Sequence, residues 1–178
     1  MNLPNFITVF RIAAVPVIAT LVVIGGGAAL WAALILYVAA AASDWLDGFL
    51  ARRMNISSAL GTMLDPIADK LLVGALIVVL AATGRIAGWH LVPALTILLR
   101  EIFVSGLREF LGNRQIEVPV TTIAKYKTAV QLVAFGALLA AAIYPQLDLA
   151  ALGLLWIAGA LTVWTGAQYF TTTLPRLK

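Results

Sequence analysis

The sequence predicts an all-α integral membrane protein with six transmembrane helices and both termini in the cytoplasm. Three observations predict it. Of the 178 residues, 62% are hydrophobic and only 11% are charged, about half the charged share of a soluble domain. Six apolar segments, each near the roughly 20 residues that cross a bilayer, follow one another along the chain. The basic residues gather at alternate turns between these segments, and the positive-inside rule assigns that side to the cytoplasm. Because apolar segments fill the chain, no separate soluble domain is expected, and residues 1–178 read as a single membrane domain.

The opening MNLPNF is too polar to begin a span and carries Pro4, so it reads as a candidate short N-terminal interfacial segment. The first span covers 7–26. It has no basic n-region and no A-x-A cleavage signal, so it is expected to be retained. Gly25-Gly26-Gly27 turns the chain into a second span at 29–51. The nine-residue stretch MNISSALGT then leads to a third at 61–82, a turn short enough to make the two helices antiparallel neighbours. Thr83-Gly84 precedes the fourth span at 90–110. Gly112-Asn113 with Pro119 precedes the fifth at 122–144, and Pro145 to Asp148 the sixth at 149–171. Pro16 and Pro93 fall inside spans, where membrane helices tolerate kinks. Small residues recur within the spans (Ala39 to Ala42, Ala140 to Ala142, Gly153, Gly159), as close packing of helices in lipid requires.

Charge placement gives the orientation. Arg52, Arg53 and Lys70 flank the second turn between spans, and Arg100, Arg108, Arg114, Lys125 and Lys127 flank the fourth. Arg11 lies near the start, and Arg176 and Lys178 close the chain. In a six-span arrangement all of these share one side, and only Arg85 falls on the other. Trp31 and Trp89 sit where the outer interface should be, as amphipathic rings do. With no cysteine, disulfides, thiol catalysis and thiolate metal sites are excluded. A single histidine, His90, argues against a histidine-based metal centre and reads as an interface residue.

Four of the eight acidic residues fall in one stretch, Asp44-x-x-Asp47-Gly48-x-x-Ala51-Arg52, eight residues, then Gly61-x-x-x-Asp65-x-x-x-Asp69. Carboxylates at membrane depth cost several kcal/mol each unless compensated, so they read as functional. Spacings of 3, 4, 7 and 8 put Asp44, Asp47, Gly48, Ala51 and Arg52 on one helical face, and Gly61, Asp65 and Asp69 repeat this on the next helix. Two such faces converging at the cytoplasmic interface suit divalent cations, which as hard ions take oxygen ligands. The chemistry suggested is phosphoryl transfer, with metal clamping a diphosphate. Gly48 and Ala51 leave room for a substrate, and Arg52 offers a planar donor fork to a phosphate. Ion pairs bracing two helices are the alternative. Four acids with small residues between them fit it poorly.

The pattern D-x2-D-G-x2-A-R-x8-G-x3-D-x3-D resembles the signature of the CDP-alcohol phosphatidyltransferases, at every fixed position. That resemblance implies six transmembrane helices, a homodimer and two ions of Mg²⁺ or Mn²⁺. It implies that Asp44, Asp47 and Asp65 ligate the first metal and that Asp44, Asp65 and Asp69 approach the second, with Asp69 as general base. It implies a CDP site of Thr8, Gly48, Ala51, Arg52, Ser58 and Gly61. The segments NLPNFITVFRI, DWLDGFLARRMN, LDPIADKLLV, LLREIFVSGLREF and AKYKTAVQ resemble the branch whose donor is CDP-diacylglycerol and whose acceptor is sn-glycerol 3-phosphate. The last span is the least diagnostic part. A phosphate-bearing acceptor needs cations, for which Arg100, Arg108, Lys125 and Lys127 are candidates, with Glu101 a partner for Arg100. For Lys125 and Lys127 the alternative is positive-inside decoration or contact with anionic lipid. Arg11 is open between phosphate binding and snorkelling to the surface, and Arg53 and Lys70 read as interface anchors.

Other acceptors in the same family (inositol phosphate, serine, phosphatidylglycerol) remain open. A cation-coupled transporter is the reading from another class, although such sites lie near the midplane and often within inverted repeats, and neither feature is seen here. The lipid bilayer is the expected surrounding and no nucleic-acid partner is expected. The resemblance, with no organelle-targeting segment in the sequence, implies a bacterial inner membrane with the active site facing the cytoplasm.

Overall fold

The structure is a computed structural model and describes residues 3–54, 59–114 and 122–173. Among these the chain is helical throughout: α1 (Leu3–Ile24), α2 (Gly27–Met54), α3 (Ala59–Ala82), α4 (Leu91–Asn113), α5 (Thr122–Ile143) and α6 (Asp148–Thr173). Single 3₁₀ turns, Gly88–His90 and Pro145–Leu147, lead into α4 and α6.

The helix order agrees with the order of apolar segments, and the boundaries differ in instructive places. α1 begins at Leu3 and so absorbs most of the stretch set apart as an interfacial segment. Pro4 is no obstacle, because the first turn of a helix has no use for its N–H. α2 runs on to Met54 and α3 begins at Ala59, so helix takes up both ends of the expected nine-residue turn. Ala59 and Leu60 are strong helix formers, which is reason enough for the early start. α1 closes with Gly25 and Gly26 at φ of 69° and 80°, left-handed values that residues with a Cβ rarely adopt. That two-residue reversal lays α2 back along α1.

Side-chain contacts define two ends of the bundle. At one end Arg11 of α1 donates to Asp69 of α3, Lys127 of α5 to Glu101 of α4, and Arg108 of α4 sits over the ring of Tyr169 of α6. At the other, Arg85 donates to the carbonyl of Ala142 at 3.2 Å and lies 3.9 Å from Asp148. There too Trp31 meets Tyr144 edge-on, and Trp156 donates to Nδ1 of His90 at 3.0 Å. The last contact fits His90 as an interface residue. α1 packs against both α2 and α3, α5 against α2 and α6, and α4 against α3 and α6. The two helices that carry the aspartates are therefore joined through α1 as well as in sequence.

The interior is built by small residues and by rings seated on glycines. Gly159 lies so close to Pro93 that α6 and α4 touch backbone to ring. Tyr37 packs on Gly136 and donates its hydroxyl to the carbonyl of Leu132 at 2.7 Å, tying α2 to α5. Outside, large apolar side chains are exposed on every helix, among them Val23, Ile35, Val78, Leu99, Val133 and Trp164. In water such a surface would be an aggregation liability; in lipid it is the surface required. Among the described residues four helical stretches are long and apolar enough to cross a membrane: Phe6–Ile24, Gly88–Gly112, Tyr126–Ile143 and Pro145–Thr173. α2 adds a shorter apolar stretch, Gly27–Ser43. The protein is thus an all-helical, multi-pass membrane protein.

Candidate functional site

Asp44, Asp47, Gly48, Ala51 and Arg52 all fall on the C-terminal part of α2, and Gly61, Asp65 and Asp69 on the first turns of α3. Both stretches are α-helical, so the spacing argument for shared faces holds. Of these residues and Lys125, only Asp69 has a side chain within the described structure; for the others the description ends at the helical backbone. Ser58 lies outside the described residues altogether. Among the described residues no three carboxylates or imidazoles come together as a metal site.

Asp69 has a side chain 53% exposed and accepts a hydrogen bond from Nη1 of Arg11 at 2.9 Å. Arg11 is 1% exposed. The snorkelling alternative for Arg11 is therefore set aside: its guanidinium is turned into the bundle, where an arginine survives by pairing. Thr8, one turn earlier on the same face of α1, is also buried. Lys70 instead donates to the carbonyl of Pro66 in its own helix at 2.8 Å, on the exposed side.

A second polar centre joins α4, α5 and α6. Oε1 of Glu101 accepts from Nη1 of Arg100 at 3.2 Å and also from Nζ of Lys127. One carboxylate oxygen thus serves two cations, and the trio carries a formal net charge of +1. The Lys127 side chain is only 4% exposed, so ordinary positive-inside decoration does not describe it. One turn along α5 from Lys127, Gln131 is buried and donates to Oγ1 of Thr162 at 2.8 Å, which in turn donates to the carbonyl of Ala158. Arg100 packs its stem on Gly166 of α6, with Cγ 3.2 Å from where a Cβ would stand. Two turns on, the Arg108 guanidinium carbon is 5.5 Å from the centroid of the Tyr169 ring, a cation–π distance.

The structure therefore brings Arg100 and Lys127 together through Glu101, and places Arg108 farther along the same helix towards the aspartate end. Sequence reasoning missed the contribution of α6. Thr162, Thr165, Tyr169 and Thr173 form a buried stripe at spacings of 3, 4 and 4. The signal was present as hydroxyl residues at helical spacing, yet threonine is common in membrane helices and did not stand out. Every buried polar or charged side chain among the described residues (Thr8, Arg11, Ser43, Lys127, Gln131, Thr162, Thr165, Thr173) lies in the half of its helix nearer the aspartates. The rest of the core is apolar. Such a half-polar bundle has the means to bind an anionic, phosphate-bearing substrate at its aspartate end.

Comparison with known proteins agrees with this chemistry. The family model described as CDP-alcohol phosphatidyltransferase matches residues 1–164. The CDP-diacylglycerol–glycerol-3-phosphate 3-phosphatidyltransferase of Rickettsia bellii is 45% identical over 174 residues, covering 95% of this chain and 93% of the relative. The proteins of the same name from Pseudomonas fluorescens and Escherichia coli K12 are 40% and 37% identical over 183 and 174 residues. Those two matches cover 100% and 96% of this chain, and 93% of each relative.

Proposed function

The chain belongs to the CDP-alcohol phosphatidyltransferase family, and from that premise we propose that it transfers the phosphatidyl group of CDP-diacylglycerol to sn-glycerol 3-phosphate. The primary hydroxyl of the acceptor attacks the phosphorus that carries the diacylglycerol. A new P–O bond forms to the acceptor, the P–O bond to CMP breaks, and CMP leaves with the bonding electrons. The products are CMP and phosphatidylglycerophosphate. Asp69 takes the hydroxyl proton. Arg11 fixes the orientation of that carboxylate, which is the positioning on which proton transfer depends.

The observation that carries this reading is the Arg100–Glu101–Lys127 centre on the aspartate half of the bundle, with Lys127 buried and Arg100 and Glu101 partly so. Free serine as acceptor would have no use for it. A phosphorylated acceptor does, and the printed names of the relatives favour glycerol 3-phosphate over inositol phosphate. In this reading Lys127 and Arg100 face the acceptor phosphate, with Arg108 and Lys125 beside them. Thr8, Gly48, Ala51, Arg52, Ser58 and Gly61 line the CDP site.

The donor chemistry fits divalent cations: four carboxylates, no cysteine, and the one histidine engaged with Trp156 at the opposite end. Asp44, Asp47, Asp65 and Asp69 would hold Mg²⁺ or Mn²⁺, two ions in the family pattern. When bound, the ions supply charge neutralisation at the diphosphate. The charge distribution supports six spans with both termini and the aspartate end in the cytoplasm. The resemblance supports a homodimer in a bacterial inner membrane.

The test is turnover in liposomes with CDP-diacylglycerol, Mg²⁺ and radiolabelled glycerol 3-phosphate, with inositol phosphate and serine in parallel. Label in the lipid fraction with glycerol 3-phosphate alone is expected. Transfer only to another alcohol would overturn the acceptor, and no transfer by folded, metal-binding protein would return the aspartates to an ion-transport reading. Asp69→Asn should abolish turnover while CDP still binds; full activity would remove Asp69 from the role of base.

A further inference from the structure

The buried stripe of α6 changes character along its length. Its first half is Ala151, Leu155, Ala158 and Gly159; its second is Thr162, Thr165, Tyr169 and Thr173. Two of these four hydroxyls have partners. Thr162 accepts from Gln131, and Thr165 donates within its own helix to the carbonyl of Leu161 at 2.8 Å. The other two, Tyr169 and Thr173, are buried with no hydrogen-bond partner among the described residues, and so are Oε1 of Gln168 and Nε of Arg100. Native interiors leave few such groups. Here four of them lie along α6 and the helix it packs against.

Tyr169 is the most informative of the four. The residue is 8% exposed, and its ring already carries Arg108. A structural tyrosine at this place would be equally served by phenylalanine; the hydroxyl finds no hydrogen-bond partner among the described residues. Arg108 sits over its ring, and one turn back along α6 Gly166 meets Arg100, whose trio with Glu101 and Lys127 carries a formal charge of +1, so with Arg108 the four groups sum to +2. A neutral O–H donor beside such an excess suits an anion oxygen, and an anion gains the most from a desolvated donor. Tyr169 also lies beyond residue 164, where the family match stops, so the family pattern does not supply this residue.

We propose that Tyr169 is a specificity-determining residue of the acceptor pocket: its hydroxyl donates a hydrogen bond to the phosphate of sn-glycerol 3-phosphate, and its ring holds Arg108 beside the same phosphate. The assignment rests on the acceptor reading given above. In this arrangement α6 selects phosphorylated acceptors through a donor that carries no charge of its own, and the nearby cations supply the attraction.

The experiment is a kinetic comparison of the unaltered protein with Tyr169→Phe in liposomes, varying glycerol 3-phosphate and CDP-diacylglycerol separately. Phenylalanine keeps the ring under Arg108 and removes one oxygen. The expected result is a rise of about tenfold in KM for glycerol 3-phosphate, the loss of one hydrogen bond to a charged group, with kcat and the KM for CDP-diacylglycerol within twofold. The inhibition constant of inorganic phosphate, competing with the acceptor, should rise in parallel. An unchanged KM for glycerol 3-phosphate in Tyr169→Phe would overturn the proposal and leave the acceptor reading standing. A raised acceptor KM with unchanged inhibition by phosphate would overturn the assignment to the phosphate. Transfer by the unaltered protein to serine and not to glycerol 3-phosphate would overturn the acceptor reading itself, and this assignment with it. Tyr169→Leu is the second variant: loss of the ring as well should lower the apparent affinity for phosphate further than Tyr169→Phe does.

Discussion

Gly159→Ala tests the seam on which the acceptor helices depend. A Cβ built at Gly159 would stand 2.7 Å from Cβ and 3.2 Å from Cα of Pro93, where ordinary contact begins at 3.4 Å. Neither atom can move aside. Cβ belongs to a closed pyrrolidine ring, with no rotamer of escape, and Cα is the backbone of α4 itself. Relief comes only if α4 and α6 separate, which opens space along the rest of their contact. Overpacking of this kind costs about 1–3 kcal/mol. For a chain of this length each kcal/mol is worth about 2–4 °C of melting temperature, so a fall on the order of 2–12 °C is expected. The assay is thermal unfolding in detergent followed by tryptophan fluorescence, with Gly153→Ala as control. Gly153 lies on the same helix with nothing within 4 Å of its would-be Cβ, and alanine there should leave the protein as stable or slightly more so. A Gly159→Ala protein that melts with the control would refute the close-contact argument.

Three further substitutions probe the polar half. Glu101→Gln keeps an acceptor oxygen but removes the negative charge that Arg100 and Lys127 share, and Lys127→Met strips the carboxylate of one partner. Each should destabilise by about 3–5 kcal/mol, as removal of one side of a buried pair does, and the double variant by clearly less than the sum; additive losses in thermal unfolding would show that the pair is not coupled. Arg11→Met frees the Asp69 carboxylate from α1, so kcat should fall on the order of 10- to 100-fold, the scale of a misplaced catalytic group, with little change in the KM for CDP-diacylglycerol. An unaltered kcat would show that Arg11 does not position the base.

Much of the architecture could be read from the sequence, because in lipid the length of an apolar run is itself a structural measurement. The helices under the aspartates could be read for a related reason: the spacings of Asp44 through Asp69 are helical, and both stretches are α-helix. The limits are equally physical. Arg11 stood open between two fates because the sequence does not say which face of α1 meets α3, and lipid-exposed and buried faces of a membrane helix are alike apolar. The same ambiguity left Lys127 balanced between decoration and pocket until packing put it against Glu101. The hydroxyls of α6 were invisible as a group: Thr165 and Tyr169 acquire meaning only once α4 is beside them. At the α2–α3 turn the expected nine-residue stretch was too long, because Ala59 and Leu60 already favour helix.

The separation of polar from apolar core follows from what holds helices together in a bilayer. Lipid tails are as apolar as leucine, so burying leucine between helices brings little gain; association rests on close packing and on hydrogen bonds between helices. The half of the bundle away from the aspartates uses the first means. Ala33, Ala94, Ala151 and Ala158 are 0% exposed there, and Gly159 admits Pro93. The aspartate half, where the nucleotide and the phosphorylated alcohol are proposed to bind, is held instead by the pairs of Arg11 with Asp69 and of Lys127 with Glu101. The same pairs that join the helices also orient the groups assigned to the reaction. Changes in the alanine-packed half should therefore act on stability first and reach the acceptor site only through helix separation. Changes in the polar half should affect stability and substrate binding together if, as proposed, the same side chains carry both.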